Sequence, residues 1–247
     1  MKSQIRAEHI VKYYGKKLVL RDISVNITQG ETVGILGPNG AGKSTTFYTI
    51  LGLIKPNKGD IYFNNKNINK LPMYKRARLG ISYLAQAPSI FYKLTVEQNV
   101  MAILETLKMK KAEKKAKLEE LLNELDLIKL SKQKAYTLSG GERRKLEITR
   151  SLVTNPSFLL LDEPFAGVDP LAVNDIQNIV RKLKKRDIGI LITDHNVLET
   201  LKIVERAYIV YEGKILFSGT SYELVNDDTA RKVYLGEQFM QQIQINN

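Results

Sequence analysis

One run of residues near the N-terminus has the types and spacing needed to hold a chain of phosphates. Residues 37–44 read GPNGAGKS and directly follow the apolar run at 32–36. Backbone N–H groups at the start of a helix bind anions, and glycine permits both the required dihedral angles and the close approach. The pattern therefore predicts a P-loop, in which Lys43 supplies positive charge to the outer phosphates and Ser44 offers a hydroxyl to Mg²⁺. The predicted nucleotide-binding residues are Gly37, Pro38, Asn39, Gly40, Ala41, Gly42, Lys43, Ser44, Thr45 and Thr46.

Two adjacent carboxylates form a second candidate site. The apolar run at 158–161 leads into Asp162, Glu163 and Pro164. Side chains alternate along a strand, so both acids serve one site only if the chain turns between them. Beside a P-loop, we assign Asp162 to the Mg²⁺ shell and Glu163 to the activation of the water that attacks the γ-phosphate, a role that contributes about 10²- to 10⁴-fold in rate. The alternative is that Asp162 and Glu163 have no catalytic role and are simply the solvated end of a strand.

A third candidate is the segment LSGGE at 138–142. Ser139 and Glu142 have the spacing of a helix capping box, which is the purely structural interpretation. Two glycines in the first turn of a helix cost about 0.8–1 kcal/mol each relative to alanine, and a helix that needs only a cap would avoid them. Close approach of an anion to bare N–H groups would explain Gly140 and Gly141.

Short apolar runs separated by helical segments predict the elements that position these motifs. The runs at 32–36, 158–161, 188–193 and 207–211 are nearly continuous, as in parallel strands that are buried on both faces. Runs at 23–27 and 61–63, bounded by Asn, Gly and Asp, predict a small antiparallel layer. The sequence shows no repeat and no low-complexity linker. We therefore expect an α/β protein with a parallel core.

A helical insertion is predicted between about residues 87 and 155. Thr95 and Gln98 have the spacing of a capping box before an apolar helical pattern. Further along, lysines alternate with Leu118, Leu121 and Leu122 in an amphipathic pattern, so we expect them to form a solvated helix face. These lysines are Lys108, Lys110, Lys111, Lys114, Lys115 and Lys117.

Composition excludes some classes of protein and leaves others open. There is no cysteine and there are only two histidines, which argues against a disulfide framework or a thiolate metal site. No apolar run approaches the roughly 18 residues that span a bilayer, and the first residues lack a secretory signal. We expect a chain that is cytoplasmic, and soluble when isolated. The net charge of +12 suits nucleic acid and an anionic membrane surface equally.

Together, these motifs resemble those of the ATP-binding-cassette ATPase family. The resemblance covers both the residue types and the order along the chain, which is GPNGAGKST, LSGGE, FLLLDEP and then His195. The resemblance implies the P-loop NTPase fold: a RecA-like parallel sheet core, a small antiparallel β subdomain and a helical subdomain insertion, in one nucleotide-binding domain at 1–247. It also implies an ATPase that binds ATP and Mg²⁺ as a head-to-tail homodimer. Each ATP would lie between the P-loop of one chain and Ser139, Gly140, Gly141 and Glu142 of the other.

The same resemblance implies roles for four further residues. Tyr14 in KYYG would stack on adenine; because Tyr13 is adjacent, the alternative is a surface aromatic. Gln86 in YLAQ would reach Mg²⁺ and sense the transmembrane partner. Asp169 in GVDP would lie at the dimer seam, and His195 would contact the γ-phosphate.

Longer segments between residues 71 and 237 resemble a narrower group, the ATPase subunits of lipopolysaccharide export systems. The segments are LPMYKRARLGISYL, SIFYKLTVEQNV, LSGGERRKLEITR, FAGVDPLAV, ILITDHNVLET and RKVYLGE. The sequence departs from that group at Ala85, Tyr92 and Thr149, where proline, a basic residue and alanine are usual. The resemblance implies a peripheral protein on the cytoplasmic side of the inner membrane, with two integral membrane permease subunits as partners.

A groove for those permease subunits is expected near Gln86, Phe91 and Leu94. The apolar cluster of Ile90, Phe91 and Leu94 follows Gln86 at the entrance to the helical insertion. Grooves that receive a short helix use apolar anchors, so part of this cluster should be exposed. The alternative makes Phe91 a core residue of the helical subdomain.

Two other functions compete with lipopolysaccharide export. The ATPase subunit of a branched-chain amino-acid importer shares the RARLG segment and a similar YLGE tail. Soluble cassette proteins that act on ribosomes or DNA are the other alternative. Those carry two cassettes in tandem or a long coiled-coil insertion, and this chain shows neither a repeat nor sustained heptads. We therefore expect no direct binding of nucleic acid.

Overall fold

The structure is a computed structural model that describes residues 2–235. Gly236 and Glu237, which end the segment RKVYLGE, lie outside the described residues, as does the end of the domain predicted at 1–247. The strands are β1 (Gln4–Tyr14), β2 (Lys17–Thr28), β3 (Thr32–Leu36), β4 (Lys58–Phe63), β5 (Lys66–Asn67), β6 (Ile81–Leu84), β7 (Phe158–Asp162), β8 (Gly189–Thr193), β9 (Arg206–Tyr211) and β10 (Lys214–Thr220).

Most of the helices connect one strand to the next along the chain. The α-helices are α1 (Lys43–Leu51), α2 (Met73–Ala77), α3 (Val96–Leu104), α4 (Lys111–Glu124), α5 (Gly140–Leu152), α6 (Pro170–Lys185), α7 (Val197–Leu201), α8 (Ser221–Asn226) and α9 (Asp228–Ala230). Short 3₁₀ turns lie at Ile128–Leu130 and Ala135–Thr137, and a π turn lies at Arg231–Leu235. Within residues 2–235, no helix has both the length and the apolar character needed to cross a bilayer.

A six-stranded sheet brings the predicted motifs together at the carboxyl ends of its parallel strands. Its order is β10-β9-β3-β8-β7-β6, with β9, β3, β8, β7 and β6 parallel. Every residue of β3, β7 and β8 is buried, as expected for strands that are covered on both faces. The segments after β3, β8, β7 and β6 contain the P-loop, His195, Glu163 and Gln86 respectively. In sheets of this kind, ligands bind at the carboxyl ends of the strands.

The prediction of the parallel core is confirmed. The apolar runs at 32–36, 158–161, 188–193 and 207–211 coincide with β3, β7, β8 and β9. The pattern does not predict β6, which has four residues of mixed burial. It also does not predict β10, which lies at the sheet edge, pairs antiparallel with β9 and has no buried residue to mark it.

The prediction of a small antiparallel layer is also confirmed. The sheet order is β2-β1-β4-β5, and the runs at 23–27 and 61–63 lie in β2 and β4. The alternation rule misses β1 because its register shifts between Ala7 and Ile10, where His9 has a φ of 55°. A bulge inserts a residue, so Ile5, Ala7 and Ile10 are all buried although their spacing is irregular.

The chain between β6 and β7 carries α3, α4 and α5 and corresponds to the predicted helical insertion. The predicted capping box is present at the start of α3, where Gln98 N donates to Thr95 Oγ1 (3.2 Å) and Thr95 N donates to Gln98 Oε1 (2.8 Å). In α4, Leu121 and Leu122 are buried as the amphipathic pattern predicts.

The prediction of a fully solvated lysine face is wrong for two of the lysines. The side chains of Lys114 and Lys117 are largely covered and pair with Glu105 and Glu120. Lysine has a long apolar stem that can lie along a helix while its ammonium group reaches a carboxylate. The apolar and polar positions alone do not reveal such pairs.

Two hydrophobic cores lie on the two faces of the six-stranded sheet. Along β7, Leu159 and Leu161 face a core shared with α3–α6, whereas Phe158 and Leu160 face a core shared with α1 and the antiparallel sheet. Alternation of side chains along a strand sends consecutive residues to opposite faces. The strand end that carries Asp162 is therefore held on both sides by packed side chains.

Candidate active site

The P-loop connects β3 to α1 and requires glycine at particular positions. Gly37 has a φ of 145°, and a Cβ there would lie 2.1 Å from the carbonyl oxygen of Val210. Gly42 has a φ of 112°, and its Cβ would lie 2.7 Å from Leu20 Cδ2. The loop is thus packed tightly against β2 and β9, while a Cβ at Gly40 would meet nothing within 4 Å. The open side of the loop is where an anion can approach the backbone.

Lys43 is the first residue of α1 and is 7% exposed. Its Nζ donates to the carbonyl oxygens of Gly37 (2.7 Å) and Pro38 (3.0 Å). Burial lowers the pKa of Lys43, and the nearby carboxylates of Glu163, Asp194 and Asp162 oppose that shift. The ammonium group therefore lies between the loop and the acidic ends of β7 and β8.

Asp162 is the last residue of β7 and is held by two hydroxyl groups. Thr193 Oγ1 donates to its Oδ1 (2.7 Å), and Tyr48 Oη donates to its Oδ2 (2.8 Å). Its neighbour Glu163 has a φ of 46°, a backbone conformation that residues other than glycine rarely adopt. Glu163 N donates to the carbonyl oxygen of Thr193 (2.7 Å). The chain therefore makes the turn that two adjacent acids need to reach one site.

The carboxylate of Glu163 brings together residues from three strand ends. Its Oε2 accepts a hydrogen bond from Gln86 Nε2 (2.7 Å), and His195 Nδ1 lies 3.5 Å from the same oxygen. Asp194, fully buried next to His195, accepts from the backbone N–H groups of Phe165 (3.0 Å) and Asn196 (2.8 Å). A carboxylate oriented in this way, close to a P-loop, can accept a proton from an attacking water.

Arg144 holds the backbone around this carboxylate, a role that the sequence alone does not reveal. It lies on α5 and is buried beside Glu147, with which it forms an ion pair (2.9 Å). Its guanidinium donates to the carbonyl oxygens of Ala85 (3.0 Å) and Glu163 (3.0 Å). It also donates to those of Asp162 and Pro164, both at 3.2 Å. Arg144 thus ties the LSGGE helix to the strand ends that carry Gln86 and Glu163.

The LSGGE segment starts α5 with a complete capping box. Glu142 N donates to Ser139 Oγ (3.2 Å), and Ser139 N donates to Glu142 Oε2 (2.8 Å). Gly141 has a packing reason to be glycine in addition to the expected anion approach, because a Cβ there would lie 2.7 Å from the Cβ of Ala172. Gly140 has no such neighbour, since the nearest atom would be 3.8 Å away. Only Gly140 is left without a packing reason.

Tyr14 and Asp169 lie apart from this cluster. Tyr14, at the end of β1, is about half exposed, and Lys12 Nζ lies 5.3 Å from the centre of its ring. Asp169 is the N-cap of α6, where its Oδ1 accepts from the N–H groups of Leu171 (3.1 Å) and Ala172 (3.0 Å). These contacts give Asp169 a structural role whether or not it also meets a second chain.

Apart from Tyr14 and Asp169, the predicted site residues fall into two groups within one chain. The P-loop, Asp162, Glu163, Gln86 and His195 meet at the carboxyl ends of the parallel strands. Ser139–Glu142 begin α5 and form its capping box. In the described part of the chain, no hydrogen bond or ion pair joins these four residues to the P-loop. Tyr48, Thr193, Arg144 and Asp194 are site residues that the motifs do not identify.

This arrangement defines a P-loop ATPase whose phosphate loop, Asp–Glu strand end and LSGGE helix share one α/β cassette. The ABC transporter family profile matches residues 20–166. The chain therefore belongs to the ABC transporter family, as its ATP-binding subunit, and it hydrolyses ATP in support of transport.

Relatives and solved structures match the chain over nearly its full length. The lipopolysaccharide export system ATP-binding protein LptB of Acidithiobacillus ferridurans is 51% identical over 97% of this chain and 99% of the relative. LptB of Escherichia coli K12 is 46% identical over 96% and 99%. An ATP-binding cassette of an ABC transporter in its ADP conformation has a TM-score of 0.85 at 31% identity, covering 96% of this chain and 100% of that one. A dimeric cassette in a post-hydrolysis state, bound to ADP and Pi, has a TM-score of 0.76 at 25% identity, covering 88% and 98%.

Proposed function

We propose that this chain is the ATP-hydrolysing subunit of a transporter that extracts lipopolysaccharide from the inner membrane and exports it toward the outer membrane. The observation that carries the proposal is its similarity to LptB proteins from end to end, at 51% identity over 99% of the first of them. The chain would act as a peripheral protein on the cytoplasmic side of that membrane. It would supply the energy of ATP hydrolysis and would not itself contact the lipid.

In the proposed reaction Glu163 is the general base. Gln86 and His195 both approach its Oε2, at 2.7 and 3.5 Å. These contacts hold the carboxylate in place, so that it can take a proton from the water that attacks the γ-phosphate. His195 would also contact the γ-phosphate, and Lys43 would bind the outer phosphates through a charge-assisted hydrogen bond.

The oxygen donors at this edge of the sheet suit Mg²⁺. Ser44 has an exposed hydroxyl at the start of α1, and each oxygen of Asp162 retains a lone pair beyond its bond to Tyr48 or Thr193. Within residues 2–235, no cluster of three or more His, Cys, Asp or Glu could hold a metal by itself. Mg²⁺ is commonly held by one or two carboxylates together with substrate phosphates, and Gln86 would add an amide oxygen. When bound, the ion neutralises charge on the transferred phosphoryl group.

We further propose that two chains share each ATP, head to tail. The separation of Ser139–Glu142 from the P-loop within one chain supports this, since the open Gly140 would then face an ATP bound to the partner. Tyr14 would stack on the adenine, and Asp169 would lie at the seam between the chains. The solved cassette with ADP and Pi is dimeric, which supports the pairing of two chains.

Mixing two inactive variants tests the shared site. Lys43→Ala removes the phosphate-binding charge, and Ser139→Arg blocks the LSGGE segment. A heterodimer of the two has one interface with both defects and one that is intact, so we expect partial ATPase activity to return on mixing. Heterodimers that form but stay inactive, and that trap no nucleotide, would contradict the shared site.

The proposed contact with the membrane subunits lies beside Phe91. The Phe91 side chain is 50% exposed, whereas its neighbour Ile90 is 6% exposed, so a core role for Phe91 is excluded. Buried Asn99 fixes this loop, since its side chain accepts from Phe91 N (2.8 Å) and donates to the carbonyl oxygen of Phe91 (3.0 Å). The guanidinium of Arg150 lies 4.8 Å from the centre of the ring. An exposed aromatic whose backbone is held by Asn99 suits an anchor for a partner helix.

Co-purification tests the choice of transporter. The chain is isolated in detergent from its own cells, and the membrane proteins that accompany it are identified by mass spectrometry. The complex is then placed in vesicles that contain lipopolysaccharide, and ATP-dependent release of the lipid is measured. We expect release that Glu163→Gln abolishes. Amino-acid permeases as partners, with no effect of lipopolysaccharide, would favour the importer alternative.

A further inference from the structure

A phenol from the P-loop helix contacts the carboxylate that the proposed function assigns to Mg²⁺. Tyr48 lies on α1 four residues after Ser44, so both side chains project from the same face of the helix. Tyr48 Oη donates to Asp162 Oδ2 (2.8 Å), and Thr193 Oγ1 donates to Oδ1 (2.7 Å). Both oxygens of a carboxylate that is 1% exposed are therefore oriented by neutral donors from two neighbouring elements.

The ring of Tyr48 is itself held in place by its surroundings. It packs edge-on against Phe47, with 6.1 Å between the ring centres, and Phe47 packs against Tyr83 at 5.9 Å. Tyr83 lies on β6, the strand that leads to Gln86. The aromatic cluster thus joins the P-loop helix to β6. A phenol is protonated at neutral pH, so Tyr48 can donate to Asp162.

We propose that Tyr48 is a positioning residue of the ATPase site: together with Thr193, it holds the Asp162 carboxylate in the single orientation in which Asp162 and Ser44 can bind Mg²⁺ with ATP. This inference rests on the proposed metal role of Asp162. A phenol suits the task because it orients the carboxylate without cancelling its charge. A lysine or arginine at the same place would orient it but would compete with the metal ion.

Tyr48→Phe isolates this role, because it removes the hydroxyl and keeps the ring that packs against Phe47. Residues that orient a metal ligand typically contribute about 10- to 100-fold in metal affinity or activity. We expect the Mg²⁺ concentration that half-saturates the ATP-bound protein to rise about tenfold. The affinity for ATP in the absence of Mg²⁺ should stay the same, because the P-loop contacts are unchanged.

The experiment measures metal binding without turnover. Every variant is made in the Glu163→Gln background, loaded with a fluorescent ATP analogue and titrated with Mg²⁺. Thr193→Val removes the second hydroxyl and should raise the half-saturating Mg²⁺ concentration in the same direction. Tyr222→Phe is the matched control, because it makes the same chemical change on an exposed side chain of α8. Melting temperatures show whether each variant is folded.

Asp162→Asn separates the inference from the function on which it rests. If Asp162→Asn weakens Mg²⁺ binding while Tyr48→Phe and Thr193→Val behave like Tyr222→Phe, the positioning role is wrong and the metal role stands. If Asp162→Asn leaves Mg²⁺ binding unchanged, the metal role is wrong and the inference falls with it. A loss in Tyr48→Phe that is equally large without Mg²⁺ would indicate a general packing defect and would also contradict the proposal.

Discussion

Replacing Phe91 with alanine separates a docking role from a role in stability. Half of the side chain is exposed, so folding buries only about half of the ring. Full burial of such a side chain contributes roughly 1.5–3 kcal/mol, which gives about 0.8–1.5 kcal/mol here. The contact with the Arg150 guanidinium, 4.8 Å from the ring centre, adds about 0.5–1 kcal/mol. We expect Phe91→Ala to lower the free energy of unfolding by about 1.3–2.5 kcal/mol.

Three measurements on Phe91→Ala test this estimate. At about 2–4 °C per kcal/mol for a chain of this size, the melting temperature should fall by about 3–10 °C. The ATPase rate of the isolated chain should be retained, because the Glu163 site is not altered. Loss of an aromatic anchor costs an interface about 2 kcal/mol or more, so assembly with the membrane subunits should weaken by roughly 30-fold or more.

Two control variants define the outcomes. Ile90→Ala truncates the buried neighbour and should cost about 2–5 kcal/mol, with the ATPase rate falling as the protein unfolds. Tyr222→Ala removes an exposed aromatic from α8 and should change none of the three measurements. The docking role would be refuted if Phe91→Ala matched Ile90→Ala in melting temperature and activity. It would equally be refuted if assembly with the membrane subunits were unchanged.

Two further predictions concern the glycines of LSGGE and the P-loop lysine. Gly141→Ala places a Cβ 2.7 Å from that of Ala172, so denaturant unfolding should show a loss of about 1–3 kcal/mol. Gly140→Ala should keep its stability but lose ATPase activity; equal destabilisation of both variants would contradict the packing account. Burial lowers the pKa of Lys43 below its ordinary 10.5, and its charge is lost above that lowered pKa. ATP affinity, measured with a fluorescent analogue, should therefore fall as the pH rises through an alkaline range below 10.5, whereas Lys43→Ala should bind weakly at every pH.

The core of the fold could be predicted because β3, β7 and β8 are buried on both faces and are therefore apolar throughout. Elements without that signature were missed. In β1 the bulge at His9 breaks the alternation, and β10 lies at an edge where few positions must be apolar. Residue propensity and apolar periodicity indicate which face of an element is buried. They do not predict a strand whose register shifts or one that is only partly covered.

Only those site residues that belong to motifs with fixed spacing could be predicted from the sequence. The P-loop and the pair Asp162–Glu163 stand out because their chemistry requires those residues side by side. Tyr48, Thr193 and Arg144 act through contacts between residues that are far apart in the chain, and their residue types are ordinary. Helix spacing could have suggested Tyr48, since it follows Ser44 by one turn. Nothing in GERRK separates Arg144, which holds the strand ends, from its neighbour Arg143.

Single-turnover hydrolysis by Glu163→Gln tests the central claim most directly. The change keeps the shape of the side chain and leaves Lys43, Ser44 and Asp162 in place, so ATP and Mg²⁺ should bind as before and the ATP-loaded chain should accumulate as a dimer. The rate of γ-phosphate cleavage should fall by about 10²- to 10⁴-fold, because the water loses its base. Cleavage at close to the unaltered rate would contradict the assignment of Glu163 as the catalytic base.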